Sequence, residues 1–322
     1  MDVARAVAEF VDGAQRTLDL AQYDFDLGVK TAQIVGGALR RAAARGVRIR
    51  LAYNVDHARP IPVPPPPSPN EKLIDSLPVE ATAVPGIPDL MHHKYVVRDG
   101  DTVWTGSLNW ADDAWSRQEN VVAVLRSPEI AAEYERDFAQ IVGTDEVGGS
   151  GKIDPVWHGN VRVWFTPAHG ADVSHRIAQA IGLARRRVRV CSPVLTTGPV
   201  LGALAGARVD IAGCVDQTQL RGVVAQWHQS GRAAWKLPLL ERVAARAFSG
   251  KLSTPFGSGV HDFMHAKVTV ADDTAFVGSF NLSRSGERNA ENVLEIADAD
   301  LAARLADFVD EVRSRYPAVD LS

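Results

Sequence analysis

Two short stretches of this chain pair a histidine with a lysine two residues on, His92-x-Lys94 and His265-x-Lys267, at an offset of 173. Each is followed by a Gly-Ser-x-Asn set, Gly106-Ser107-x-Asn109 and Gly278-Ser279-x-Asn281, now at an offset of 172. Ten residues past each asparagine stand Glu119-Asn120-Val121 and Glu291-Asn292-Val293, again at 172. A lone His-x-Lys on a strand is ordinarily surface decoration or a satisfied core histidine. Here the same residue types return in the same order, and a duplication kept only for its core would not retain them. One set offers a titratable imidazole and the means to hold an anion. Lysine gives a charge-assisted donor and asparagine an amide N–H, while Gly-Ser lets backbone come close to a bound anion. Two sets face to face supply two histidines around one phosphate-sized site. One neutral imidazole then attacks phosphorus while the other, protonated, gives its proton to the leaving oxygen. Lys94, Lys267, Asn109 and Asn281 hold the non-bridging oxygens as charge develops. Glu119 and Glu291 are placed to accept a ring N–H from each histidine, and no metal or cofactor is called for.

The elements that must position these residues also come twice. VARAVAEFVDGAQ has helical spacing and TLDLAQYDF alternates as a strand; TAQIVGGALRRAAARG and VRIRLAYN repeat that order. DVSHRIAQAIGLARRRVRVCSPVL, 172–195, returns the first helix and strand at an offset of 170. Each copy closes on a helix: SPEIAAEYERDFAQIV, with Ser127 as N-cap and Pro128 in its first turn, and DADLAARLADFVDEV, with Leu301, Leu305, Phe308 and Val312 on one face. Within each motif an Asp falls in a hairpin turn, Asp99 before Gly100 and Asp272 before Asp273, which favours a structural role over a catalytic one. The second hairpin is one residue tighter, so Asp273 competes with Asp272 for that role; Arg98 has no evident part. Residues 147–160, rich in glycine, read as the linker between an N-terminal lobe, 1–146, and a C-terminal lobe, 161–322, whose VRVWFTP strand the first copy lacks. Seven prolines over 58–70 read as an extended surface loop.

HxK-x4-D followed by GSxN, present twice, resembles the phospholipase D superfamily with its paired HKD motifs. The resemblance implies an α/β fold of two tandem lobes related by a pseudo-twofold, each a mixed central sheet flanked by helices, with the active site at the lobe interface. It implies a covalent phosphohistidine, with His92 as the nucleophile and His265 as the acid. The first motif, HHKYVVRDG…GSLNW…QENVV, is closest to the compact endonuclease-type branch, which favours nucleic acid as substrate. A phospholipid head group or a small phosphodiester is the alternative, and an inactive phosphate-binding scaffold the least favoured reading.

The rest of the chain bounds these expectations. It is 46% apolar and 23% charged over 322 residues, enough to build an interior without disulfides or metal. Cys191 and Cys214 lie in apolar strand-like runs and read as buried reduced thiols. Apolar runs are strand-length, too short for a membrane span; with no signal peptide visible, the expected location is the cytoplasm, and the expected form a monomer with a complete site in one chain. The net charge of −4 gives no overall basic field to draw in a polynucleotide, and no clear apolar rim for lipid is legible. Arg40, Arg41, Arg45 and Arg185–Arg187 are read as charges late in helices, complementing the C-terminal dipole. Trp104, Trp110 and Trp115 read as core. His93 points away from His92, and His261 is a minor candidate for lining the site.

Overall fold

A computed structural model describes residues 1–57, 69–255 and 260–321. The proline run therefore lies almost wholly outside the described residues. At its end, Asn70 caps the short helix Glu71–Asp75, its side chain accepting from Leu73 N at 3.0 Å.

The duplication is visible strand for strand. In the first lobe the sheet runs Glu80–Pro85, Arg48–Val55, Thr17–Gln22, Lys94–Arg98, Thr102–Gly106, Val122–Arg126. In the second it runs Ala247–Lys251, Asp210–Asp216, Arg187–Ser192, Val268–Ala271, Thr274–Gly278, Glu291–Ala297, then adds Val161–Thr166 and Trp157–His158 at the edge. In both, the first three strands are parallel and the rest antiparallel. The strand absent from the first copy is thus an edge extension. We place the join between lobes within 147–160; it is not a free tether, since Val147 and Ile153 are buried with Tyr134, Phe138 and Phe165.

The parallel strands are apolar because both faces are covered. On one face of the first sheet, helices Asp2–Asp12 and Val29–Ala44 pack Val7, Val11, Val35 and Leu39 against Leu18, Leu20 and Leu51, with Trp110 and Trp115 in the same core and Trp104 at its edge. Helix Pro128–Thr144 covers the other face. Ser127 caps it by accepting from Ile130 N, and Tyr134 and Phe138 join a third core that takes residues from both lobes, including Leu294 and Ile296. Helix Ala299–Ser314 covers the corresponding face of the second sheet, burying Val309 and Val312 against Val268 and Val270. Cys191 and Cys214 are register partners on adjacent parallel strands, both buried and both free thiols.

The hairpin aspartates have one structural task in each lobe. Asp99, at φ 56°, turns its carboxylate onto the backbone N–H groups of Gln15, Arg16 and Thr17, at 2.7–3.1 Å. Asp272, at φ 52°, does the same to Arg185, Arg186 and Arg187. Each pins the helix-to-strand turn beside the motif strand, and these donors hold both carboxyls below the usual carboxylate range. Asp273 instead pairs with the Arg186 side chain at 2.5 Å. Arg98 finds its part here too, donating to Phe10 O at 3.0 Å and lying over the Phe10 ring. One expectation is corrected: Arg185–Arg187 do not end a helix. The helix stops at Leu183 because the chain must turn at once into the strand that Arg187 opens. Arg41 does lie in the last turn of its helix, bonded to Asp12.

Candidate active site

The motif strands begin two and three residues past His92 and His265, and the lobes bring the two histidines to one small cleft of about 140 Å3. His92 and His265 line it together with Asn109 and Asn281. The pseudo-twofold is written into the backbone here. His92 N donates to Ala290 O at 2.9 Å and His265 N donates to Glu119 O at 3.2 Å, so each histidine is anchored by the opposite lobe.

The ring contacts follow the same exchange. His92 Nδ1 lies 2.8 Å from Glu291 Oε2, and the carboxylate fixes Nδ1 as the protonated nitrogen. Nε2 is left as the nitrogen with a free lone pair. His265 Nδ1 lies 3.0 Å from Asn120 Oδ1. Asn120 Nδ2 donates to Ala114 O, which settles the amide's orientation and makes its oxygen the acceptor. Burial, then the charges of Lys94 and Lys267, hold the His92 imidazole well below its ordinary pKa. Burial and the same two lysines do so for His265.

Glu119 is therefore not the counterpart of Glu291. Its carboxylate pairs with Lys251 at 3.0 Å and accepts from the Tyr316 hydroxyl, away from the His265 ring. The reason is a slip of one residue. Gly106 registers with Val122, but Gly278 registers with Val293, an offset of 171 on the outer strand. Met91 bridges Ala290, and Met264 bridges Glu119, at the same offset. Asn120 therefore occupies the position of Glu291, although the Glu-Asn dipeptides align in sequence. One histidine faces a carboxylate and the other an amide. The two sequence-equivalent glutamates should then behave differently. Glu291→Gln is expected to lower kcat by about 10²-fold, since a ring partner orients the imidazole and stabilises its cation. Glu119→Gln is expected to keep kcat within about threefold while lowering the unfolding temperature, because it leaves buried Lys251 with a weaker partner. Steady-state kinetics and a thermal melt of each variant check both.

The lysines sit directly behind the histidines, Lys94 Nζ donating to His92 O at 2.6 Å and Lys267 Nζ to His265 O at 2.7 Å. Burial pushes the Lys94 ammonium down to about 7, and burial with the nearby Lys94 charge pushes Lys267 well down too. Glu291 pulls both lysines the other way, joined by Asp24 at Lys94. Burial likewise pushes Glu291 up to about 7, against the opposing pull of Lys94.

Ser107 and Ser279 are not in the cleft. Both are fully buried, Ser107 donating to Asn120 Oδ1 at 2.8 Å and Ser279 accepting from Asn292 N at 3.1 Å. They support the strands that carry the ring partners. Gly106 and Gly278 also differ from expectation. A Cβ at either would come within 2.1 Å of a carbonyl on the neighbouring strand, Val121 O or Asn292 O, so glycine serves strand packing and not close approach of an anion. His93 is buried on the far side, between Asp137, Ser150 and Asn292 at the lobe interface. His261 does line the cleft, its Nε2 3.2 Å from Asp113 Oδ2.

Several cleft residues escaped the sequence reading. Tyr23 and Asp24 follow the strand Thr17–Gln22, Pro193 follows Arg187–Ser192, and Gln219 follows Asp210–Asp216. All lie beyond the carboxyl ends of parallel strands, where open α/β sheets bind ligands. That rule, applied to the repeated helix–strand pairs, was the signal that could have found them. The Tyr23 ring stands edge-on to His92 with centroids 4.6 Å apart, and Lys94 Nζ lies over the same ring at 4.8 Å.

Fold and cleft together define a two-lobed α/β protein with one histidine from each lobe in a shared cleft. Residues 7–142 and 177–313 each match the family described as the PLD-like domain of cardiolipin synthase, so the chain belongs to the phospholipase D superfamily, whose members are phosphodiester hydrolases and transferases. A mitochondrial cardiolipin hydrolase of Xenopus laevis is 27% identical over 133 residues, 40% of this chain and 56% of that protein. One from Chlamydomonas reinhardtii is 24% identical over 135 residues, 41% of this chain and 54% of that protein. The chain thus spans about half the length of the curated relatives it matches. Phosphatidylserine synthase of Haemophilus influenzae Rd KW20 shares the fold, with a TM-score of 0.67 at 13% identity over 98% of this chain and 84% of that one.

Proposed function

We propose that the chain cleaves phospholipid phosphodiesters in two steps through a phosphohistidine on His92. His92 Nε2 attacks phosphorus and the bond to the leaving alcohol breaks, its oxygen taking a proton from His265 Nε2. Water then attacks, gives a proton to His265, and the phosphorus–nitrogen bond breaks. As the His92 ring becomes cationic, Glu291 supports it directly. Lys94 and Lys267 offset the charge that develops on phosphorus-bound oxygens, with the Asn109 and Asn281 amides at the cleft wall.

The observation that carries the lipid reading is the character of the cleft and its edge. Among its described lining residues no Lys or Arg appears, while Asp24 and Asp113 do. A polynucleotide is bound mainly by neutralising successive phosphates, and this cleft offers two carboxylates instead. Beside it, Leu252 and Val260 are 62% and 69% exposed, in a second cavity whose Lys251 is paired with Glu119 and whose lining also includes Arg117 and Asp262. These two apolar side chains are the exposed contacts the site offers an acyl chain, and they were not legible in the sequence. The curated relatives, both named cardiolipin hydrolases, point the same way.

In excess EDTA, the protein is expected to hydrolyse phospholipid in mixed micelles at least about tenfold faster than single- or double-stranded DNA or RNA at equal phosphodiester concentration. Faster cleavage of any polynucleotide would replace the lipid reading with a nuclease. Hydrolysis of bis(p-nitrophenyl) phosphate alone would reduce it to a small-diester activity.

A further inference from the structure

We infer that His93 is a positioning residue of the reaction: bonded across the lobe interface to Asn292, it fixes the register in which His92 meets Glu291. The inference rests on the phosphohistidine reading above and adds the group that holds the attacking imidazole to its carboxylate.

The backbone leaves that register loosely set. Beside His92 the lobes meet in an isolated parallel bridge between Met91 and Ala290. It is made by His92 N donating to Ala290 O at 2.9 Å and Ala290 N donating to Leu90 O at 2.8 Å. Past it the chains part, Lys94–Arg98 pairing with Thr17–Gln22 and Glu291–Ala297 with Thr274–Gly278 and Val161–Thr166. The contact between His92 Nδ1 and Glu291 Oε2 falls where they separate. One residue on, His93 and Asn292 repeat the same separation of 199 positions, with Asn292 Nδ2 3.2 Å from His93 Nδ1. Two side-chain contacts in series define a register that one contact would let slip.

The direction of the second contact is settled by its neighbours. Asn292 Oδ1 accepts from Thr105 Oγ1 at 2.7 Å and from the Tyr134 hydroxyl at 3.0 Å, both on the first lobe. Its Nδ2 therefore donates, and His93 Nδ1 accepts. The ring proton is left on Nε2, 3.1 Å from Asp137 Oδ2. Asp137 is held in turn by the Tyr95 and Ser150 hydroxyls and Gly151 N. His93, Asp137 and Asn292 are all fully buried. A satisfied buried network specifies one geometry, and a reacting side chain needs placing to within about 0.5 Å.

The acid half of the site shows that these positions do not need polar residues to pack. There His265 Nδ1 meets Asn120, and the next residues along are Ala266 and Val121, which join an apolar core. The polar pair stands beside the histidine whose ring must be held, as it becomes cationic, against a carboxylate.

His93→Asn and His93→Gln divide the two ring bonds between them. Asparagine places an acceptor where Nδ1 stood and keeps the bond to Asn292; glutamine reaches the place of Nε2 and keeps Asp137 instead. With bis(p-nitrophenyl) phosphate, His93→Gln is expected to lower kcat at least about tenfold with KM within about twofold, while His93→Asn keeps kcat within about threefold. Asn292→Ala, made from the other lobe, is expected to repeat the glutamine loss. In Glu291→Gln protein, adding His93→Gln should cost less than about a further twofold, because the group it acts through is gone. The proton on His92 Nδ1 gives a far-downfield NMR resonance, assigned by its loss from Glu291→Gln. It is expected to shift in His93→Gln and to stay in place in His93→Asn. An unmoved resonance in His93→Gln overturns the inference. So do kcat losses that follow the melting temperatures of the variants, or that multiply with Glu291→Gln. Where His93→Gln does not fold, Asn292→Ala decides by the same readouts, and failure of both to fold overturns the inference in favour of a structural lock. The resonance needs no substrate, so its expected shift in a protein that cleaves no diester would keep the register and sink the phosphodiesterase reading instead.

Discussion

His92→Ala is expected to abolish phosphodiester turnover, lowering kcat by about 10⁴-fold or more on any substrate. The loss should not depend on the leaving group, because the step removed is formation of the bond to phosphorus. The variant should still fold. His92 is at the edge of the cleft, its ring contacts are Glu291 and the Tyr23 ring, and its backbone bond to Ala290 O survives substitution. Substrate should bind with nearly unchanged affinity, since Lys94, Lys267, Asn109 and Asn281 are untouched. Kinetics with both a phospholipid and bis(p-nitrophenyl) phosphate check this. Activity above about 1% of wild type on either would mean that another group attacks phosphorus.

His265→Ala should behave differently, and the difference depends on the leaving group. Natural alcohols leave poorly without a proton, so turnover of phospholipid is expected to fall by about 10³-fold or more. With p-nitrophenolate, which leaves without protonation, the first step should proceed and the second should stall. The expected trace is a burst of nitrophenolate of about one equivalent per active site, followed by a slow phase. The asymmetry of the ring partners underlies this assignment. Glu291 presents a carboxylate that stabilises a cationic, phosphorylated His92, whereas Asn120 presents a neutral amide that leaves His265 the more readily acidic of the two. A burst from His92→Ala and none from His265→Ala would exchange the roles.

Much of this architecture is legible in the sequence. The HxK and GSxN sets located both histidines, both lysines and both asparagines, and the repeat implied that the site is shared between lobes. Asp99 and Asp272 were read as turn residues, and they are, though that they cap the backbone of residues more than eighty positions away was not visible in a local pattern. The failures have a common physical cause. Side-chain identity was read by alignment of the copies, but a strand's role depends on register, and register slipped by one between Asn109 and the outer strand. The Glu-Asn dipeptide survived that slip in sequence and not in space, so Asn120 and not Glu119 meets His265. The constraint on Gly106 and Gly278, a carbonyl on the next strand, is long-range and so invisible in a local Gly-Ser pattern. Tyr23 and Asp24 lie in no motif. They became site residues only because the sheet ends there.

Identification of the covalent intermediate tests the central claim most directly. His265→Ala would be mixed with bis(p-nitrophenyl) phosphate, quenched in base during the slow phase, digested and sequenced by tandem mass spectrometry. The account predicts an acid-labile p-nitrophenylphosphoryl adduct on the imidazole of His92, through Nε2, one nitrophenolate having left, and none in the His92→Ala/His265→Ala double variant. An adduct on any other residue, or its absence during a clear burst, would contradict it.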